Sequence, residues 1–244
     1  MLCLPEALRL HQFSPLGLVK LCFPPGYIRP SSVSFFAVSL LTSVIVRGIN
    51  NLSDARYCAG MGADYITFRL DPALPGAVTP ALVKELSSWV AGVQLVGEFD
   101  SLPIADINAL AQECNLHSVL LHKQRRPEEL AALSVSALVL VKWIPDMLPE
   151  DVDNRFRTLG QHTTGFVMTD LPPQPLTEFQ LAHLTEQART YSIWLAPGFA
   201  NGSVREFVEK VHPQGLVLEG GDEIKPGLRD FSEMEAVFEE LEVE

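Results

Sequence analysis

Residues 44–68 read VIVRGINNLSDARYCAGMGADYITF. Two short apolar runs, VIV at 44–46 and YITF at 65–68, flank a segment with the look of one helix. The first run ends on a cation, Arg47, followed at once by Gly48. A strand that is apolar along its length and closes on an arginine poses the question of what that charge meets.

The same alternation continues to the end of the chain. Apolar or β-branched runs lie at 44–46, 65–70, 93–99, 118–122, 137–143, 165–169, 192–196 and 215–219. Helical stretches are expected near 52–61, 79–90, 103–114, 127–133, 149–159, 175–190, 202–211 and 231–242, those after strands four and five being the shortest or least regular. Thr79-Pro80 sets a cap before a first-turn proline, Asn201 or Ser203 can cap the seventh helix, and Ser232 follows an Asp-Phe step into the last. Strands apolar on both faces belong to a parallel sheet covered by helices. Eight such units in about 200 residues predict a single (βα)8 TIM barrel, class α/β. The alternative is a doubly wound open sheet, which would more often carry a GxGxxG at its first turn, and RGINNLSDA is not one.

Composition narrows the function. The chain has 244 residues, is 47% hydrophobic and carries a formal net charge of −12. That length suits one large domain. An acidic chain opposes non-specific approach to nucleic acid or anionic membrane, but does not prevent a few local cations from holding a small anion. Four scattered cysteines, Cys3, Cys22, Cys58 and Cys114, form no CxxC. They give neither a zinc ribbon nor a disulfide framework, so a reducing, cytoplasmic setting is expected, with no metal. Residues 1–42 differ from the rest: Glu6 is their only acid, and they are rich in Pro and Ser. The apolar run at 32–46 falls short of the roughly 20 residues that span a bilayer and lacks a basic leader. This segment is read as a poorly ordered extension or a start placed too far upstream, with the barrel over 43–244 and order beginning near 42.

In a barrel the chemistry sits at the C-terminal ends of the strands. Those ends carry Arg47 and Asn50, Arg69 and Asp71, Glu98 and Asp100, His122 and Lys123, Lys142 and Trp143, Thr169 and Asp170, and Glu219. Charges of both signs at one mouth suit an anionic substrate and acid–base work, though strand ends are also simply where strands meet solvent. APGFANGS (196–203) and EGGDEIKPG (219–227) follow strands seven and eight. Glycines there let backbone N–H groups approach a phosphate.

These residues carry a family likeness. VRGINNLSDARYCAGMGADYITF resembles the opening of phosphoribosylanthranilate isomerase, roughly V-K-I-C-G-I-T-x-x-x-D-A followed by G-A-D, through Gly48, Ile49, Asp54, Ala55, Gly62, Ala63 and Asp64. VLLH at 119–122 is similar to that family's V-Q-L-H, and the segment from Trp194 to Phe238 resembles its closing glycine-rich loops. The resemblance implies a (βα)8 barrel that converts an aminosugar phosphate to its ring-opened ketose by an Amadori rearrangement in tryptophan synthesis. It implies no metal or organic cofactor, a phosphorylated small-molecule ligand, and a monomer or homodimer.

Set against that family, the catalytic cysteine is replaced by Arg47 and the preceding lysine by Ile45. A guanidinium stays protonated at any working pH and cannot act as the base. Cys58 is no substitute, being placed on the packed side of the first helix. The family's general acid corresponds to Thr169, with Asp170 one residue on, and its phosphate-site serines to Glu219 and Gly220. The resemblance therefore leaves Asp170 and Arg47 as candidate catalytic positions, and Gly198, Gly220, Gly221 and His122 as candidate substrate and phosphate contacts. Taken alone, Asp54 reads as a first-turn helix acid and His122 as a hydrogen-bonded strand-end histidine. Arg47 is expected to form a bidentate pair with a carboxylate across the mouth, Glu219 first and Glu98 second. Two functions stay open: the family isomerisation, and a repurposed barrel that binds an anionic metabolite or a protein partner.

Overall fold

The computed structural model describes residues 39–143, 149–171, 176–196, 203–219, 223–225 and 228–243. Eight parallel strands close into a barrel in chain order: β1 (Ser43–Arg47), β2 (Tyr65–Arg69), β3 (Gln94–Phe99), β4 (Ser118–Leu121), β5 (Ser136–Lys142), β6 (Gly165–Thr169), β7 (Ile193–Leu195) and β8 (Gly215–Glu219). The helices between them are α1 (Leu52–Gly60), α2 (Pro80–Ser87), α3 (Ile104–Glu113), α4 (Pro127–Ala131), α5 (Pro149–Gly160), α6 (Glu178–Thr190) and α7 (Val204–Val211). Closure comes from β1 pairing with β8 in parallel, Ser43 opposite Gly215 through Arg47 opposite Glu219. The open sheet is thereby excluded. A short antiparallel pair, β9 (Glu223–Lys225) and β10 (Leu228–Arg229), follows β8 and precedes α8 (Ser232–Leu241). Sequence reading had treated that segment as a glycine loop only.

Local chemistry accounts for the helix limits. Thr79 accepts a hydrogen bond from Leu82 N (3.2 Å) with Pro80 in the first turn, and Ser203 accepts from Glu206 N (3.3 Å). Val204, Phe207, Val208 and Val211 repeat at helical spacing and bury one face of α7. At α8 the capping acceptor is Asp230, whose Oδ1 takes Ser232 N at 2.9 Å, and Ser232 is the first helical residue. α4 is short, as expected, but α5 is a full-length helix.

Strand alternation sorts the side chains into two cores. Ile45, Val96, Leu120, Leu138, Val167, Trp194 and Val217 fill the barrel interior. Val44, Val46, Ile66, Phe68, Leu95, Phe99, Val119, Leu121, Val139 and Val141 face the helices instead. Cys58 is fully buried in this outer core, the packed side on which sequence placed it. At the N-terminal end of the barrel Trp194 lies over Gly215, whose missing side chain makes the room: a Cβ there would stand 2.2 Å from the indole and 2.4 Å from the Ser43 carbonyl oxygen.

The segment before β1 pairs with the segment after α8. Leu41 N donates to Leu241 O, and Val243 N to Ser39 O, both at 2.8 Å, with Leu40 bridging Glu242. The expectations for residues 1–38 lie outside the described residues. Among the described residues no helix is long and apolar enough to cross a membrane.

The Trp194–Gly215 contact gives a first test. Gly215→Ala is expected to lower stability by about 1–3 kcal/mol through overpacking against indole and backbone, measured by urea unfolding. Exposed Gly92→Ala does not probe overpacking, because its φ of +84° strains any side chain whatever the space.

Candidate functional site at the mouth of the barrel

The parity that sends Ile45 inward sends Arg47 inward too. By the same rule Glu98 follows Val96 on β3, Glu219 follows Val217 on β8, and His122 follows Leu120 just past β4. These four side chains converge. Arg47 is only 6% exposed and Glu98 0%. Arg47 Nε donates to Glu98 Oε1 at 3.2 Å and its Nη2 to Oε2 at 2.6 Å, a bidentate pair. Arg47 Nη1 also reaches Glu219 Oε1 at 2.9 Å, where the carboxylate is 56% exposed.

Glu98 is saturated. His122 Nε2 lies 2.7 Å from Oε2, and the Thr67 hydroxyl donates a very short hydrogen bond to Oε1. Thr67 in turn accepts Gly48 N at 2.9 Å. Burial alone would raise the Glu98 pKa. The hydrogen bonds from His122, Arg47 and Thr67, with the charge of Arg47, outweigh it and hold the carboxyl at about 2. Burial likewise works against the charge on Arg47, but the hydrogen bond to Glu98 and the charges of Glu98 and Glu219 raise its pKa above the ordinary value. Arg47 is therefore a fixed cation.

Gly48 has φ +73°, and a Cβ there would sit 3.2 Å from the Arg69 guanidinium. Glycine at this turn allows Arg69 to lie against the backbone, 24% exposed and 3.8 Å from Glu219. One further carboxylate braces the mouth. Asp71 is buried and accepts backbone N–H groups from Ala73 (2.9 Å), Asp100 (2.9 Å), Ser101 (2.7 Å) and Leu102 (3.0 Å). Burial would raise its pKa, and these four donors bring it down to about 2. Asp71 thus ties the loop after β2 to the loop after β3.

The residues singled out from sequence divide as follows. Arg47 and His122 stand together at the centre. Asp170 lies beyond the end of β6 in a left-handed conformation (φ +59°), its carboxylate 58% exposed and 3.2 Å from Lys142 Nζ. It belongs to the rim and makes no contact with the Arg47 cluster. Gly198, Gly220 and Gly221 lie outside the described residues. Asp54 is in the first turn of α1, as read, but it is buried rather than solvated. The order of carboxylates is corrected: the bidentate partner of Arg47 is Glu98, and Glu219 makes a single contact. From sequence Asp71 reads only as a strand-end carboxylate, and Thr67 carries no signal of its place beside Glu98.

The comparisons with known proteins agree on one family of (βα)8 barrels. The family model of N-(5'-phosphoribosyl)anthranilate isomerase matches residues 44–240. A relative of that name from Chlorobium chlorochromatii is 30% identical over 203 residues, covering 78% of this chain and 91% of its own. The crystal structure of phosphoribosyl anthranilate isomerase from Thermotoga maritima superposes with a TM-score of 0.68 at 19% identity, over 82% of this chain and 98% of that one. A further solved isomerase, in complex with reduced 1-(o-carboxyphenylamino)-1-deoxyribulose 5-phosphate, gives a TM-score of 0.66 at 20% identity, over 82% and 97%. This chain belongs to the phosphoribosylanthranilate isomerase family.

Two measurements test the cluster. Glu98→Gln should cost about 3–5 kcal/mol, since it strands a buried guanidinium, whereas Glu219→Gln at the wet end should cost less than about 1 kcal/mol. Arg47→Met combined with Glu98→Gln should cost clearly less than the sum of the two, as read by denaturant unfolding. The second is acid stability. A carboxyl whose folded pKa is depressed stabilises the fold above its unfolded value and loses that contribution as pH falls through the folded one. Stability should therefore decline from about pH 4.5 toward pH 2 as Glu98 and Asp71 protonate, and Glu98→Gln should flatten part of that decline.

Proposed function

We propose that this barrel binds a small phosphorylated or otherwise anionic metabolite at its strand-end mouth, and that it lacks the thiol-dependent isomerisation of its family. The observation that carries this reading is the bidentate Arg47–Glu98 pair at the end of β1. The family resemblance places the proton-accepting cysteine at position 47. Here that position holds a cation with a raised pKa, clamped on a fully buried carboxylate. It can attract an anion but cannot accept a proton.

Support for an anionic ligand comes from Arg69, partly exposed beside Arg47 and only 3.8 Å from the nearest carboxylate. Glu219 would repel a phosphate, but Arg47 already engages it at 2.9 Å. The proposed phosphate contacts are the backbone N–H groups of Gly198, Gly220 and Gly221, on the loops after β7 and β8. Asp170, paired with Lys142 at the rim, is the proposed remnant of the family's acid. A metabolite at this mouth would meet a protein of net charge −12, so selectivity would come from the two arginines rather than the overall field.

General-base catalysis contributes roughly 10²–10⁴-fold, so turnover of phosphoribosylanthranilate should fall at least about 100-fold below that of the Chlorobium chlorochromatii relative. The protein should fail to restore growth of a tryptophan auxotroph lacking the isomerase. Reduced 1-(o-carboxyphenylamino)-1-deoxyribulose 5-phosphate should still bind by calorimetry, more weakly as salt rises. Robust turnover or growth would overturn the loss of isomerisation, and absence of binding would overturn the ligand class.

A further inference from the structure

The Glu98 carboxylate fixes more than Arg47. Its pKa near 2 makes it an acceptor only, at any physiological pH. His122 Nε2 lies 2.7 Å from Glu98 Oε2, so Nε2 must carry the proton of that hydrogen bond. The Arg47 Nη2 group, 3.3 Å from Nε2, is itself a donor and is aimed at the same Oε2. In the neutral ring the lone pair is then left on Nδ1. Nδ1 has no hydrogen bond among the described residues. The His122 side chain is 19% exposed, and Nδ1 is not among the buried polar atoms left without a partner. A carboxylate, an oriented imidazole and a free ring nitrogen make up the base half of a proton-transfer dyad.

Charge favours the same use. Arg47, Arg69, Glu98 and Glu219 lie in one contact group and sum to zero. A proton delivered to His122 from a ligand would leave a single positive charge, which an anionic ligand would balance.

We infer that His122, oriented by Glu98, is a proton-transfer residue for a ketose-phosphate-like ligand held at this mouth. The inference rests on the ligand class proposed above. The step is a proton abstraction next to a carbonyl. Nδ1 takes the proton from the carbon beside the carbonyl; the C–H electron pair forms the carbon–carbon double bond; the carbonyl oxygen takes up the displaced pair as an enolate. Return of a proton, or of a deuteron exchanged from solvent, to the same carbon completes the cycle with no oxidant or reductant. Glu98 is a positioning residue here, since it acts through the imidazole.

The test uses the full chain in deuterated buffer with the ketose 1-(o-carboxyphenylamino)-1-deoxyribulose 5-phosphate. Deuterium entering the carbon beside the carbonyl is followed by mass spectrometry. Exchange above the buffer rate is expected, falling at least tenfold in His122→Gln. The reduced, non-exchangeable compound should bind the wild type, and exchange is read at saturating ketose, so that a change in affinity on losing His122 is separated from a loss of proton transfer. Nitrogen-15 histidine spectra of the wild type should show the His122 ring protonated at Nε2 and bare at Nδ1, a readout independent of whether the variant folds well. Three results would overturn the inference. They are exchange unchanged by His122→Gln, exchange no faster than in buffer while the reduced compound binds, and a ring that carries its proton on Nδ1. Failure of the reduced compound to bind would instead remove the ligand class, and with it this role of His122.

Discussion

The buried carboxylate of Glu98 is the constraint around which the mouth is organised. A carboxylate removed from water costs several kcal/mol unless every lone pair is used. Here Arg47 fills both oxygens, Thr67 adds to one and His122 to the other. Four side chains from four successive elements of the barrel wall are thereby held in one arrangement. Loss of Arg47 would leave the buried carboxylate without its charge partner.

The same network divides the family's architecture from its chemistry. The barrel wall, the helix caps and the two apolar cores are built without the charged cluster. The inner layers are closed by Ile45, Val96 and Val217, and the charges begin only one residue pair further along each strand. A barrel of this kind can therefore keep its fold while the side chains of its top layer vary. In this chain that layer holds a fixed positive charge, Arg47, clamped on the Glu98 carboxylate.

Much of this was legible in the sequence. Apolar runs at regular intervals, Thr79-Pro80 and Ser203 gave the barrel and its helix starts, because period and cap chemistry are local. The inward aim of Arg47 was legible from strand parity. Its principal partner was not ranked correctly. Glu219 was favoured because β8 neighbours β1, and the register does set Arg47 opposite Glu219. Yet side chains in one layer of a barrel interior come from alternate strands. Arg47 on β1 meets Glu98 on β3, with β2 between them, and this rule would have reversed the order. The roles of Asp71 and Thr67 were not legible at all. Each depends on which loop or strand end comes to lie within 3 Å or so, a distance set by closure and stagger rather than by any local pattern.

The pairing of Ser39–Leu41 with Leu241–Val243 has a consequence for connectivity. Both ends of the barrel segment emerge side by side, held by backbone hydrogen bonds at the face opposite the charged mouth. A segment whose ends touch is topologically close to a ring. A short peptide joining Val243 to Ser39 would let new termini be opened in a helix–strand turn on that same face, with the strand-end cluster left undisturbed. The order in which the eight units are synthesised could then be changed without changing which unit neighbours which.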